Sequence, residues 1–519
     1  MKKYRFLSYH LIIFLISLYI CIFLHQSFWQ TVFFHTKIFH HTQWLYFCIA
    51  LSLIFFLCIC FEIICGFYTY RYILTIIIFL ASSSAYYMDT FHISLNPLII
   101  ESLFKTHLNE AKEFINLKMI LIILAQSLLP LLLLFYTKPQ RPQKPILIKF
   151  TLIGVYIFLF AGIYTLNGKN IVFTFKAYKP TIDMLNPIAP IRSSIRYLSE
   201  YIHTPKSYTP VGEDAILAPN SNPKIFVLII GESARAKNFE YNGYQRPTNP
   251  YTKNLKNLVN FKNFYSCGVI TAISIPCMLT NLTHKTYTSR NLSLYRDNIL
   301  DIAQRAGYSV WWISNNGGEC MGEVCKRITH ISYYNHHLDG QMLPEITELI
   351  QKSQTNTFIV INLHGSHGTK YFERYPKDFT FFKPVCTIEE LQECKQTELI
   401  NAYDNSLRYT DFFISEVIQS LQKSHLNTAL WYLSDHGESL GENSQYMHGG
   451  LPYSLAPEVQ KHIPSMIWLG KGFVKPYWKN LSSKTNGNFN QDYLFHTLLH
   501  FLDIQTKDYD KNLDLLCNQ

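Results

Sequence analysis

Glu232, Thr271, Asp435 and His436 are residue types that could do chemistry together. They stand in Ile-Ile-Gly-Glu-Ser, Cys-Gly-Val-Ile-Thr-Ala and Leu-Ser-Asp-His-Gly-Glu-Ser. Each acid follows a short apolar run that reads as a buried strand, and ligands of an open α/β sheet gather beyond the carboxyl ends of its strands. Two carboxylates, an imidazole and a hydroxyl collected there would make a zinc site whose fourth ligand is also the nucleophile. A threonine hydroxyl attacks poorly at neutral pH, and Zn²⁺ would lower its pKa and aim it at phosphorus. Each group also has a plainer reading. An acid after a strand is common, Asp435 suits a helix cap or a surface position, and His436 suits a hydrogen-bonded loop. Residue types alone leave both readings open.

The elements that must position these groups lie in residues 223–519. Apolar runs at 225–230, 310–313, 358–363, 429–433 and 466–469 read as sheet-core strands, and 298–306 and 399–421 read as helices. This alternation predicts a mainly parallel α/β sheet covered by helices on both faces.

Residues 1–170 have a different character. Five apolar stretches, at 7–24, 44–65, 72–87, 119–136 and 146–166, are long enough or nearly so to cross a bilayer, which takes about 20 apolar residues. The third is short, and the second carries Glu62. The first could instead be a signal peptide, but it lacks a small-residue cleavage site and four more spans follow. Lys2, Lys3 and Arg5, Arg71, and Lys138, Arg141 and Lys144 fall on one side of these spans; Lys37, Lys105, Lys112 and Lys118 fall on the other. The bias puts the N-terminus in the cytoplasm and everything after the fifth span on the far side.

The cysteines agree with that topology. Cys21, Cys48, Cys58, Cys60 and Cys65 lie in the apolar spans and read as small hydrophobes. Cys267 and Cys277, Cys320 and Cys325, and Cys386 and Cys394 form three close pairs in the soluble part, with Cys517 left over. In an oxidising compartment they read as local disulfides. A cysteine-ligated zinc site is the rival, but the spacings are irregular and no Cys-x-x-Cys occurs. The formal net charge of +10 suits an anionic lipid surface. No motif points to nucleic acid.

Two further segments lie outside the spans, a loop between spans three and four and a connector to the soluble part. Residues 99–114 can form a helix on the far side, with Ser102, Thr106 and Glu110 on one face; a solvated helix face is the plain reading. Residues 171–222 form a connector in which Ile191, Ile195, Leu198 and Ile202 repeat at helical spacing, as in a helix lying in the membrane interface or packed on the soluble domain.

The chain resembles the bacterial phosphoethanolamine transferases that modify lipid A, within the alkaline phosphatase and sulfatase superfamily. The resemblance rests on Gly-Glu-Ser-Ala-Arg at 231–235, Ser-Cys-Gly-x-x-Thr-Ala-x-Ser-x-Pro-Cys at 266–277, Asn-Ala-Tyr-Asp-Asn-Ser at 401–406, and Asp-His-Gly-Glu-Ser-Leu-Gly-Glu-Asn at 435–443 followed by His448. It implies a five-helix transmembrane domain (1–170), a connector with an interfacial amphipathic helix (171–222) and a periplasmic catalytic domain (223–519) of a monomeric inner-membrane enzyme. It further implies that Glu232, Asp435 and His436 bind zinc and that Thr271 is both ligand and nucleophile. His367 and His448 match positions that contact the phosphoryl group or a second zinc. Asn316 and Glu438 match substrate-contacting positions, and Thr106 and Glu110 match residues that face the donor lipid. The donor would be phosphatidylethanolamine and the acceptor lipid A or lipooligosaccharide, with resistance to cationic peptides such as polymyxin as the outcome.

Ser102 stands where such proteins usually carry Asn, and Met321 where a Lys often follows the first Cys of the 320–325 pair. The segment from His364 to His367 is also shorter than usual. These departures bear on head-group contact and acceptor choice, leaving a core sugar or a surface protein open as acceptor. A phosphoglycerol transferase of the lipoteichoic acid type is the near rival, disfavoured by the cysteines around Thr271. A sulfatase would need Cys or Ser within Cys/Ser-x-Pro-x-Arg, which Thr271-Ala-Ile-Ser-Ile lacks. An inactive scaffold with a retained fold is disfavoured by the intact ligand set.

Overall fold

The computed structural model describes residues 8–517 apart from 37–41, 92, 106–114, 138, 140–142, 178, 204–206, 220, 317–319, 335–337, 389–390 and 443–444. Thr106 and Glu110 lie outside the described residues. The chain divides into two compact units, the first taking most of the residues up to Leu198 and the second Ser199–Gln519, with the last helix of the first unit running across that boundary.

The first unit is helical: α1 (Tyr9–Phe23), α2 (Gln26–Thr36), α3 (Thr42–Ile64), α4 (Tyr70–Phe91), α5 (Pro97–Lys105), α6 (Leu117–Tyr136), α7 (Pro145–Ala177) and α8 (Ile188–His203). Among the described residues four helices are long and apolar enough to cross a membrane, and α1 with α2 makes a fifth if the pair is one span bent by 56°. That bend is built from polar contacts. The Asp89 carboxylate accepts from the first-turn amide of Ser27 (2.9 Å), capping α2. His25 donates from Nδ1 to the Ile20 carbonyl (2.9 Å) and accepts at Nε2 from the Asn186 amide (3.0 Å). Glu62 is accommodated in its apolar helix because His10 Nδ1 meets it at 2.8 Å; an ionisable residue in such a span needs a partner of this kind.

Ser102 lies in α5, among its described residues, and is half-buried. Along α8, Ile191, Ile195, Leu198 and Ile202 form an exposed apolar stripe. A stripe of this kind suits an interfacial helix.

The second unit is built on an eight-stranded sheet: β1 (Lys224–Gly231), β2 (Leu258–Tyr265), β3 (Ser309–Ser314), β4 (His330–Tyr333), β5 (Thr357–Asn362), β6 (Asn427–Ser434), β7 (His462–Leu469) and β8 (Asn488–Asn490). The strand order is β8-β2-β7-β6-β1-β5-β3-β4, and β7 alone runs antiparallel to its neighbours. Strand β1 shows why the sheet is covered on both faces. Phe226, Leu228 and Ile230 enter one apolar core, while Ile225, Val227 and Ile229 enter the other. Near-continuous apolar runs of this kind mark strands buried on both sides.

All five expected strands are present, as are the helices at Ile299–Arg305 and Gln396–Gln422. The first is fixed by a capping box between Asn298 and Asp301. Strands β2, β4 and β8 escaped the reading. In β2, Leu-Val-Asn-Phe-Lys-Asn-Phe-Tyr interleaves polar residues with buried Val259, Phe261 and Phe264, so no apolar run announces it.

Candidate active site

Four neighbouring parallel strands deliver the candidate residues. Gly231 of β1 pairs with Ser434 of β6, so Glu232 and Asp435 emerge side by side just past the strand ends. Strand β3 leads to Asn316, and β5 leads to the segment from His364 to His367. Thr271 arrives separately, as the first residue of α9 (Thr271–Leu279). The positive end of that helix favours an anionic group beside the hydroxyl.

The four groups singled out first meet within hydrogen-bonding distance. Thr271 Oγ1 lies 3.0 Å from Glu232 Oε2 and 3.2 Å from His436 Nε2. His436 Nε2 is 3.4 Å from Glu232 Oε1 and 3.3 Å from Asp435 Oδ2. Glu232, Asp435 and His436 are fully buried, and Thr271 is half-buried.

Local backbone geometry aims these side chains. Ser233 adopts a left-handed φ of +56°, a conformation that needs support from its surroundings. Its amide donates to Asp435 Oδ1 (3.1 Å), and its hydroxyl donates to Glu232 Oε1 (2.7 Å). The His436 amide also donates to Asp435 Oδ1 (2.6 Å). Gly365 also has a positive φ, +56°, and a Cβ there would come within 2.8 Å of the Glu232 carbonyl oxygen. Only glycine lets the β5 loop pass this close.

These residues fit a divalent cation. His436 Nδ1 donates to the Gly437 carbonyl (2.9 Å), which fixes the tautomer and turns the Nε2 lone pair toward the two carboxylates. Asp435 Oδ2 is buried and makes no hydrogen bond. Its ligand-capable atom and those of Glu232 and His436 lie within 4.8 Å of one another, as do those of Glu232, His367 and His448. The electrostatics point the same way. Burial works to raise the Glu232 carboxyl, but the imidazoles of His367, His436 and His448 and the Ser233 hydrogen bond hold it down at about 2. Burial and the adjacent Glu232 charge push Asp435 far above the carboxylate range. A doubly charged cation between two such carboxylates reverses that penalty.

Around this centre, Asn316 Nδ2 donates to Glu232 Oε2 (2.7 Å). His448 Nδ1 lies 3.2 Å from Glu438 Oε2. Burial lowers His448 well below the usual imidazole range, with repulsion from His436 adding to it. Burial pushes Glu438 up to about 8, and its Oε1 is buried without a hydrogen bond. All eight candidates of the soluble unit, Glu232, Thr271, Asn316, His367, Asp435, His436, Glu438 and His448, are thus brought to the strand ends.

Supporting residues went unrecognised in the sequence. Gln491 is buried; its Oε1 accepts from the Cys267 amide (2.6 Å) and its Nε2 donates to the carbonyls of Ser434 and Asp435 (2.9 Å each). The Ser274 hydroxyl shares its proton between the Asp435 carbonyl and Gln491 Oε1 (2.7 Å). The helix that begins at Thr271 is thereby fastened to the Asp435 turn. Asp339 accepts from the amides of His364 (2.9 Å) and Gly365 (3.0 Å), which shapes the His367 loop. Arg235 bonds Glu442 (2.7 Å), tying the Glu232 turn to the segment after Asp435. A glutamine in Asn-Gln-Asp-Tyr gives no signal of such a role, because its partners, three backbone atoms and the Ser274 hydroxyl, are far away in sequence. The three cysteine pairs are disulfides, and Cys267–Cys277 brackets Thr271.

Comparison with known proteins covers both units. Residues 224–504 match the family described as Sulfatase, and residues 53–202 match the family described as Phosphoethanolamine transferase EptA/EptB. The chain is 33% identical over 465 residues to phosphoethanolamine transferase EptA of Escherichia coli (strain K12), covering 85% of this chain and 84% of that protein. It is 32% identical over 433 residues to phosphatidylethanolamine transferase Mcr-1 of Escherichia coli, covering 78% and 80% respectively. The solved structure of the integral membrane protein lipooligosaccharide phosphoethanolamine transferase A from Neisseria meningitidis superposes with a TM-score of 0.91 at 29% identity, over 97% of this chain and 98% of that one. With a helical unit and a sulfatase-like α/β unit both accounted for, the chain belongs to the phosphoethanolamine transferases of the alkaline phosphatase and sulfatase superfamily.

Proposed function

We propose that this transferase moves phosphoethanolamine from phosphatidylethanolamine to lipid A or lipooligosaccharide through a covalent adduct on Thr271. The observation that carries this reading is the convergence of the Thr271 hydroxyl on Glu232 and His436 (3.0 and 3.2 Å) at the strand ends. Zn²⁺ held by Glu232, Asp435, His436 and Thr271 would supply Lewis-acid activation of the hydroxyl and of the phosphoryl oxygens.

In the first step Thr271 Oγ1 attacks phosphorus in line. A bond to Oγ1 forms, the bond to the diacylglycerol oxygen breaks, and diacylglycerol leaves with the proton that Thr271 gave up. In the second step an acceptor phosphate or hydroxyl oxygen attacks the phosphothreonine, and Thr271 regains a proton. His367 and His448 donate hydrogen bonds to the phosphoryl oxygens, where transition-state charge resides; one of them protonates the leaving oxygen. Glu438, with a buried unpartnered oxygen, accepts the ethanolamine ammonium. Asn316 holds Glu232. His367 and His448 together with Glu232 also offer a second metal position.

The lysine and arginine bias and the disulfides support an inner-membrane anchor with the catalytic unit in the periplasm. Polymyxin resistance would follow from lowering the negative charge of the outer surface. Envelope mass spectra of deletion and wild-type cells test the acceptor. Phosphoethanolamine on lipid A should vanish in the deletion; loss confined to a core sugar or a protein would overturn the acceptor.

Two residue-level results are expected. Gln491→Ala should lower kcat by about 10- to 100-fold while zinc content is retained, because misplacing reacting groups by about an ångström has that scale of effect. A wild-type kcat would show that the four hydrogen bonds of Gln491 are dispensable for alignment. In the full-length chain, Thr106→Ala with Glu110→Ala should impair transfer from bilayer phosphatidylethanolamine yet spare a short-chain, water-soluble ester. Remote binding energy positions the reacting centre only when the remote part is present. Equal losses on both substrates would argue against contact with the donor lipid.

A further inference from the structure

The C-terminal tail carries a second cluster of metal-ligating side chains, sharing no residue with the active site. After α14 (Leu494–Phe501), which follows α10 (Ile299–Arg305), α11 (Leu343–Lys352), α12 (Gln396–Gln422) and α13 (Val474–Ser483), the chain returns to lay Leu515 and Leu516 into the apolar core. Lys484 Nζ donates to the Leu515 carbonyl (2.6 Å) and Asn480 Nδ2 to the Leu516 carbonyl (2.8 Å), so the end of α13 holds the backbone of the two buried leucines.

This anchoring brings Cys517 to His500 and Asp514. Three donors converge on one carboxylate oxygen, Asp514 Oδ2: His500 Nδ1 at 2.6 Å, Tyr509 Oη at 2.5 Å and Cys517 Sγ at 3.3 Å. Tyr509 Oη is also 3.2 Å from Cys517 Sγ. The other oxygen, Oδ1, accepts from the Leu516 amide (2.8 Å), so the carboxylate cannot turn away. The ring of Tyr477 stands edge-on to His500, with centroids 5.6 Å apart. The ligand-capable atoms of His500, Asp514 and Cys517 lie within 4.8 Å of one another. Asp514 is fully buried, whereas His500 is 34% exposed and leaves a route in from solvent.

The donor set selects the ion. A carboxylate oxygen, an imidazole nitrogen and a sulfur suit late first-row divalent cations, while calcium and magnesium prefer all-oxygen shells. Cys517 is the free cysteine of the soluble unit, since Cys267, Cys277, Cys320, Cys325, Cys386 and Cys394 are paired. We propose that His500, Asp514 and Cys517 form a second transition-metal site that takes Zn²⁺ or a similar divalent cation and clamps the C-terminal tail to α14. Binding displaces the thiol proton, and Tyr509 keeps its hydrogen bond to Asp514 or fills a fourth position.

Co²⁺ is the probe, because a thiolate ligand gives it a near-ultraviolet charge-transfer band that the sulfur-free active site does not produce. Full-length protein in detergent, stripped of metal and titrated without oxygen, should show that band. It should disappear in Cys517→Ser, persist in Asp435→Asn, and need at least about tenfold more Co²⁺ in His500→Gln. Saturating Zn²⁺ should also protect Cys517 of the wild-type chain from alkylation, read by peptide mass spectrometry. A wild-type protein without the band, a band unchanged in Cys517→Ser, or alkylation indifferent to Zn²⁺ would overturn the proposal and leave the cluster as a hydrogen-bonded tail lock.

Discussion

Thr271→Ala is expected to lower phosphoethanolamine transfer by about 10⁴-fold or more, on the scale seen when a covalent nucleophile is removed, while the protein stays folded and keeps its zinc. Folding should survive because Thr271 is half-buried at the first position of its helix, where alanine is a good helix former. Metal should stay because Glu232, Asp435 and His436 remain, with His436 still oriented by the Gly437 carbonyl. Two measurements check this. Turnover of labelled phosphatidylethanolamine should fall to background, and mass spectrometry of the wild-type chain quenched with donor alone should find phosphoethanolamine on the peptide containing Thr271. Undiminished turnover by Thr271→Ala would sink the covalent route.

Asp435→Asn should have the second largest effect, through the metal. The substitution is isosteric and keeps Oδ1 as acceptor for the amides of Ser233 and His436, so the turn should hold. At Oδ2 it replaces an unpartnered, ligand-capable oxygen with an NH₂ group that cannot ligate. Zinc content should collapse, and transfer should fall by about 10³-fold or more, in line with loss of a preorganised electrostatic element. Thermal unfolding provides a reading independent of activity. Wild-type protein at free zinc about 1,000-fold above its dissociation constant should lose about 4 kcal/mol on chelation. The Asn variant should unfold at the same temperature with and without chelator. Wild-type zinc content in Asp435→Asn would remove this aspartate from the ligand set.

The architecture of the soluble unit was legible wherever a strand is buried on both faces. Such strands are continuous apolar runs, as at 225–230 and 429–433, and their ends mark where Glu232 and Asp435 stand. The membrane helices were legible for the same reason, because about 20 apolar residues in a row have few alternatives. Sequence did not reveal the break between α1 and α2, since the Asp89 carboxylate that caps α2 comes from another helix. Strand β2 was hidden by its one-sided pattern of Asn260, Lys262 and Asn263 among buried aromatics.

The candidate site divides along similar lines. Residue types and motif settings nominated Glu232, Thr271, Asp435 and His436, because carboxylate, hydroxyl and imidazole chemistry belongs to the side chain itself. Distance belongs to the fold. The pairing of Gly231 with Ser434 sets the two acids side by side, and Gln491 together with Ser274 fastens the Thr271 helix to the Asp435 turn. The tail cluster is the limiting case. Sequence showed Cys517 as a leftover, and the burial of Leu515 and Leu516 together with the hydrogen bonds from Lys484 and Asn480 brings it beside His500 and Asp514. Side-chain chemistry is local and can be read from the sequence, whereas convergence is the sum of many long-range contacts whose partners no local pattern names.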